Sequence, residues 1–584
     1  MRLPVALGVV ATVTLVTVLV QPFRAPWWIN ADADAAYTAS GIELAAGEHT
    51  FYLDHPGMPL EDLMAITVES RRVLHNLNGG NASPHQYAAQ RLVNLDDSRP
   101  YFRGWAIAFF SFGAFVTFFA LSALFVNPLW GAAGALLWLT APDLANMSIQ
   151  FRPDGLLAGL VVACGALIVR AAERRSAWTY ALAALLLGLT ITVKIHAAGL
   201  FLPFAIALAW RPPGPGWRTS FVAGARRWLR RYRIALGVFA AVWIAFAVAF
   251  NSERAPIILT HEERVAVLEL AAAFGDYLLV VGLFAWLKLR RRGPFSPFGA
   301  VLASALAVGI LLPGTLFLND LPEMLNKIVG GLTGSGVNNG IRPFTTPLSE
   351  LLHYPFDSTL ALVSIAAVAA ALGVIRRDPF PVLWFTGSLV TGVMALARLG
   401  TLHYFEPAYV LSIPAVLWLL RTLRPPAVGA LATAALLAVV LNPFFAHLHA
   451  PAQNAASQEI RSRVFARLAH QLLKPGEIAL SDSYAEPTPD TRWFGLVHQF
   501  IAWTPAYPYR FMPADAGPAT AEGAGLRPAY FIGELPLQLR REQQVTLGFG
   551  TYDLRPIPAL ADPGDGIGVA LLVHGPGVDS PLGG

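Results

Sequence analysis

Some thirteen long apolar runs, separated by short polar turns, leave this chain little choice of fold. They lie near 4–20, 102–126, 129–149, 155–172, 177–193, 196–210, 234–250, 266–287, 296–318, 358–375, 380–398, 404–420 and 427–445. A bilayer span takes about 17–25 mostly apolar residues, and in lipid the backbone must be satisfied within its own helix. The expectation is an all-α polytopic membrane domain of about thirteen spans over residues 1–445. Composition agrees. The chain of 584 residues is 55% hydrophobic and 14% charged, against about 25% charged in soluble domains. Its mean hydropathy is +0.51. The single cysteine, Cys164, lies in an apolar run, so a disulfide framework is excluded. The net charge of +5 comes from basic residues clustered in short loops. That is a topology signal rather than a nucleic-acid patch.

The first run follows Arg2 and resembles a signal peptide. The next residues, QPFRAPWW, offer no small-residue cleavage site, so a retained helix is expected. Cytoplasmic loops carry the excess Lys and Arg. The strongest basic loops are RAAERR (170–175), RRWLRRYR (226–233), KLRRR (288–292), IRR (375–377) and RTLR (421–424). With Arg2 inside, simple alternation puts all of them inside. The outer segments are then 21–101, 143–154, 193–197, 251–265, 319–357, 398–404 and the tail after about 446.

Chemistry-bearing residues collect on that outer face. Asp32 and Asp34 follow the first span directly, where ionisable groups at membrane depth point to function. Asp54-His55-Pro56-Gly57 reads as a turn, and Leu60 to Leu77 as an amphipathic helix along the interface. The next outer turn holds Asp143, Arg152 and Asp154. Arg152 precedes Pro153 and so stands at a helix break, while Asp154 suits the positive end of the following helix. Lys194 and His196 lie between two short apolar runs; the competing role for such a lysine is snorkelling. The segment 319–357 is rich in Gly and Asn and carries Arg342, as a lid over a phosphate would, or a plain connector. Arg398, His403, Tyr404, Glu406 and Tyr409 complete the set, the tyrosines being equally suited to an aromatic belt. Convergent polar groups in an apolar frame make an active-site hypothesis.

The chain resembles the C-type glycosyltransferases that use lipid-phosphosugar donors, in particular the protein O-mannosyltransferase and aminoarabinose transferase group. The matching stretches are DADAAY with Asp32, Asp34 and Tyr37, LAAGEHTFYLDHPGMP with His55, FRPDGLLAGL at 151–160, VKIHAAGLFLP at 193–203 and LHYFEPAYVLSIPAV at 402–416. They cover roughly residues 1–445. The chain departs from the family pattern at Asp-Ala-Asp, His55-Pro56-Gly57 and Phe405-Glu406-Pro407, which bears on sugar and acceptor more than on reaction class. The resemblance implies a polyprenyl-phosphate sugar donor and a glycan, lipid or protein acceptor. It also implies a bacterial inner-membrane protein with a periplasmic site and no nucleic-acid partner. Asp34 takes the place of the family's catalytic base, with Asp32 second and Asp154 third. Arg152, Lys194, Arg342 and Arg398 are the candidates for the donor phosphate, since fixed cations receive charge that develops on a leaving group. Tyr37, His55, His196, His403 and Tyr404 would line the rest of the substrate site. One base and direct displacement imply inversion at the anomeric carbon. A divalent metal on the carboxylates is conceivable chemically but is left out of the expected cofactors.

After about Ala446 the composition changes. EIALSDSY, PAYFIGEL, GTYDLRPI and GIGVALLVHG read as strands, and RSRVFARLAHQLL as an amphipathic helix. A small α/β outer domain is expected over 446–584. The competing function is a transporter or lipid-linked-glycan flippase, which favours repeats and broken helices near the midplane. Close approach of Asp34, Arg152 and Lys194 would favour the enzyme.

Overall fold

The computed structural model describes residues 2–21, 36–48, 58–93, 98–141, 144, 148, 150–252, 297–318, 358–398, 405–447, 477–481, 511–513, 527–534, 543–547, 550–556 and 567–574. The chain divides into two units: 1–21, 40–88 and 101–449 in one, and 22–39, 89–100 and 450–584 in the other.

Helices in chain order are α1 (Arg2–Leu19), α2 (Ala36–Ala46), α3 (Met58–Leu77), α4 (Pro84–Val93), α5 (Arg99–Phe125), α6 (Pro128–Leu139), α7 (Pro153–Arg174) and α8 (Ala177–Val193). After a 3-10 helix at Ile195–Leu200 come α9 (Phe201–Trp210), α10 (Trp217–Ser252) and α11 (Pro297–Gly314). The last four are α12 (Ser358–Arg376), α13 (Pro379–Arg398), α14 (Glu406–Thr422) and α15 (Pro426–His447). Among the described residues, helix occupies every apolar run except that at 266–287, which lies outside them. Among the described residues four helices, within 99–125, 153–174, 217–252 and 359–376, are long and apolar enough to cross a membrane, and several shorter apolar helices accompany them.

Local chemistry fixes the helix starts. The Asn127 side chain accepts the Leu129 N–H at 3.0 Å, and Pro128 opens α6. Ser176 caps α8 through the Thr179 N–H, and Asp378 caps α13 through the Phe380 N–H at 3.0 Å. An N-cap side chain replaces the partner that the first turn lacks. α6 stops at Leu139, short of the expected run to 149; Pro142 follows closely in the sequence, and a helix usually ends at or before the residue preceding a proline. The run expected at 196–210 does not begin as an α-helix: its first residues form the 3-10 helix, so the polypeptide turns abruptly at Lys194.

Packing is closest where side chains are smallest. α8 and α11 cross at Gly188 and Gly309; a Cβ on Gly188 would lie 2.3 Å from the Leu306 carbonyl, and one on Gly309 2.1 Å from that of Leu185. Small residues let apolar helices approach where water supplies no driving force. The N-terminal part of α3 turns acids inward: Glu61, Asp62 and Glu69 are buried with Met64, Ala65 and Val68.

The described C-terminal residues form six strands: β1 (Glu477–Ser481), β2 (Phe511–Pro513), β3 (Arg527–Glu534), β4 (Gln543–Leu547), β5 (Gly550–Pro556) and β6 (Ile567–His574). They form one sheet in the order β2-β1-β3-β6-β5-β4. β2, β1 and β3 are parallel; β3, β6, β5 and β4 pair antiparallel, with Ile532 opposite Val569 and Leu554 opposite Leu572. The expected helix at 461–473 lies outside the described residues.

Candidate active site

Arg152 has extended backbone (φ −118°, ψ 150°) and Pro153 opens α7, which puts Asp154 in its first turn. The proline forces the extended residue before it and tolerates the missing donor at a helix start. Forty residues on, α8 ends at Val193 and Lys194 runs extended (φ −163°, ψ 134°), its N–H still bonded to the Thr190 carbonyl at 3.2 Å. The chain can turn here because Gly199 seats the following 3-10 helix on α13. A Cβ there would stand 2.7 Å from the Thr391 side chain and 3.0 Å from its backbone nitrogen.

The two breaks meet. The Lys194 ammonium donates a short hydrogen bond to Asp154 Oδ1, and Arg152 Nε lies 3.5 Å from Asp154 Oδ2. Asp154 is 2% exposed and Lys194 9%. A carboxylate and an ammonium survive such burial only by pairing. Glu406, in the first turn of α14 and 1% exposed, and Arg152 both act electrostatically on Lys194. His196 is buried in the 3-10 helix just beyond. Behind the charges, the Tyr409 hydroxyl of α14 meets Thr140 Oγ1 at 3.2 Å, and Ser388 of α13 donates to the Ala408 carbonyl at 2.7 Å. The end of α6 and the starts of α7 and α14 are thereby gathered with the end of α8.

The described basic loops lie at the other ends of these helices. Gly214 N–H donates to the Arg175 carbonyl at 3.2 Å, and the Tyr180 hydroxyl to that of Arg211 at 2.8 Å. These bonds join the α7–α8 turn to the α9–α10 turn. Likewise Trp418, near the end of α14, donates to Asp378 at 2.9 Å in the α12–α13 turn. The 22 residues of α7 separate its two ends by about 33 Å, at about 1.5 Å per residue.

Of the sequence-derived candidates, the structure brings together Arg152, Asp154 and Lys194, with His196 adjacent in the chain. Tyr37 is buried in α2. Arg398 is the last residue of α13, its side chain outside the described part. Asp32, Asp34, His55, Asp143, Arg342, His403 and Tyr404 lie outside the described residues. Among the described residues no three His, Cys, Asp or Glu side chains gather as a metal site. Sequence reasoning noted Glu406 but gave it no role; its signal was an acid beside a proline at a helix start, the same pattern as Asp154. Glu43, Glu61, Asp62 and Arg103 are further buried charges that it passed over.

No protein-family model matches the chain, and no curated protein does. Among solved structures the chain is similar to ArnT from Cupriavidus metallidurans bound to undecaprenyl phosphate, at 14% identity over 97% of each chain and a TM-score of 0.30. It is also similar to the apo form of that protein, at 13% identity over 97% of each chain and a TM-score of 0.28. At TM-scores this low the likeness assigns no activity to this chain.

Proposed function

We propose that this protein is an integral membrane glycosyltransferase. It moves a sugar from a polyprenyl-phosphate donor to an acceptor at the outer face, with inversion. The observation that carries the reading is the Arg152–Asp154–Lys194 cluster at two helix breaks, with Asp154 and Lys194 buried and Arg152 half-buried beside them. The motifs FRPDG and VKIHAAG, far apart in sequence, converge there.

The leaving phosphate needs positive charge placed before it departs, and a dry frame makes that charge effective. Arg152 can supply it. Its side chain is 21% exposed, and its planar fork matches two phosphate oxygens. Lys194 backs it with a second cation. Asp154 and Glu406 balance that charge when no donor is bound. Both oxygens of Asp154 face cations, so its role is that of an anchor holding Arg152 and Lys194 rather than a base. The base is Asp34, with Asp32 its neighbour; Arg342 and Arg398 add charge to the phosphate. The wider arrangement has thirteen spans, a cytoplasmic N-terminus, and the site and the α/β domain on the periplasmic side. Five basic loops falling on one side under simple alternation support it.

Asp34→Asn is expected to abolish transfer while expression and folding stay normal. The check is mass spectrometry of glycans and lipid-linked sugars in a deletion strain complemented with the variant, beside turnover of the reconstituted protein. Retained turnover removes Asp34 from the role of base. A second reading, lipid-linked-glycan flipping, draws on the discontinuous α8–α9 segment with a lysine at its break. Lipid-linked sugar crossing vesicles intact, with no free polyprenyl phosphate formed, would favour it.

A further inference from the structure

α10 has 36 residues, about 54 Å of helix, where about 30 Å of hydrocarbon needs only about 20. The surplus is all at one end. From Ile234 onward the helix is apolar, whereas 217–233 carries Arg218, Arg226, Arg227, Arg230, Arg231 and Arg233 and no acid. All six are exposed. Arg226–Arg230 and Arg227–Arg231 stand four apart, where like charges on a helix repel.

The segment is nevertheless held firmly. Trp178, in the first turn of α8, meets Phe221 at 5.4 Å and Trp228 at 6.0 Å, and Trp228 meets Tyr232 at 5.6 Å. Gly224 permits the contact, since a Cβ there would stand 2.9 Å from the Trp178 ring. This seats the arginines beside exposed Arg174 and Arg175. The described acids of this end are already engaged: Glu173 pairs with Arg170 at 2.9 Å, and Asp378 accepts from Trp418 and Phe380. The apolar part of α10 is open along its flank, every residue from 234 to 249 being exposed or half-buried.

We propose that this face is a docking surface for anionic phospholipids, whose headgroup phosphates lie among the α10 arginines and whose acyl chains run along the open flank. Charge complementarity, aromatic side chains at headgroup level and an uncovered apolar side all fit that occupant. The inference rests on the membrane topology proposed above but not on sugar transfer.

The test uses the full-length protein in phosphatidylcholine bilayers with trace spin-labelled phosphatidylglycerol or phosphatidylcholine. Electron paramagnetic resonance reads the motionally restricted fraction of each. The wild type is expected to prefer phosphatidylglycerol by about fivefold, the effect of roughly one well-placed basic residue. The preference should shrink between about 0.1 M and about 1 M salt, as screening shortens from about 10 Å to about 3 Å. The R226Q/R227Q/R230Q/R231Q variant should fall towards no preference, while R226K/R227K/R230K/R231K keeps it. Equal restriction of both lipids by the wild type, as expected if a soluble acidic partner is the true occupant, overturns the proposal. So does a preference that survives the glutamine substitutions. Should that variant fail to insert, a salt-independent preference in the wild type overturns the proposal alone. Asp34→Asn should leave lipid preference intact, which separates this failure from failure of the transferase reading.

Discussion

At one end of the helical unit Arg152 and Lys194 flank a buried carboxylate; at the other, six arginines of α10 stand exposed on a stretch of helix without an acid. The side chains are of one kind, but the physics differs. A charge taken out of water must find a partner across the fold, so the site end depends on two helix breaks meeting accurately. An exposed charge needs no fixed partner and is screened by salt, so the basic end depends on density and not on any single contact. The first arrangement suits chemistry on one phosphate; the second suits a surface of many.

The comparison breaks most sharply at Lys194. Lys194→Met leaves Asp154 buried with Arg152 alone, and is expected to cost about 3–5 kcal/mol of stability together with all transfer. Asp154→Asn combined with Lys194→Met removes both charges and should recover most of the stability but none of the turnover. Thermal unfolding in one detergent checks the first, and turnover the second. A loss under about 1 kcal/mol for Lys194→Met would make the pair no different from a surface one.

A second test asks whether the site end depends on the helix that delivers Lys194. Gly309→Ala would press a methyl against the Leu185 carbonyl of α8, an overpacking expected to cost about 1–3 kcal/mol. Gly8 of α1 is the control, having nothing within 4 Å of its would-be Cβ. Gly8→Ala should gain about 0.5–1 kcal/mol, the ordinary helix preference for alanine. Equal unfolding temperatures for the two variants would show that the α8–α11 crossing is not tight in the membrane.

Much of this was legible in the chain, and the reasons it was or was not are physical. Apolar runs mark helices because hydrocarbon demands them, and α8 begins and ends where its run does. Pro153 marks the break at Arg152 through sterics alone. In the sheet, β1, β3, β5 and β6 announce themselves by apolar and aromatic residues, whereas the two edge strands do not, β2 being too short and β4 too polar. Edge strands are short or polar to discourage further pairing, and so carry little signal. β2 has three residues and β4 reads QQVTL. The pairing of Lys194 with Asp154 was not legible, because sequence places both at helix ends but cannot say which ends coincide. The buried Glu61 and Asp62 were missed for a like reason: periodicity identifies a polar face on α3 but not what covers it.

The smallest expected effect lies at the basic end and is the most diagnostic for that reason. Arg230→Gln removes one exposed charge from a helix whose other arginines remain. Its repulsion with Arg226 disappears, a gain of about 0.2–0.5 kcal/mol, so stability should stay within about ±0.5 kcal/mol of wild type. Turnover should not change, since the site lies at the far end of α7. Unfolding temperature and turnover measured in the same preparation check both. A large loss of either would mean that Arg230 has a fixed partner, and the two ends of the molecule would then handle their charges alike.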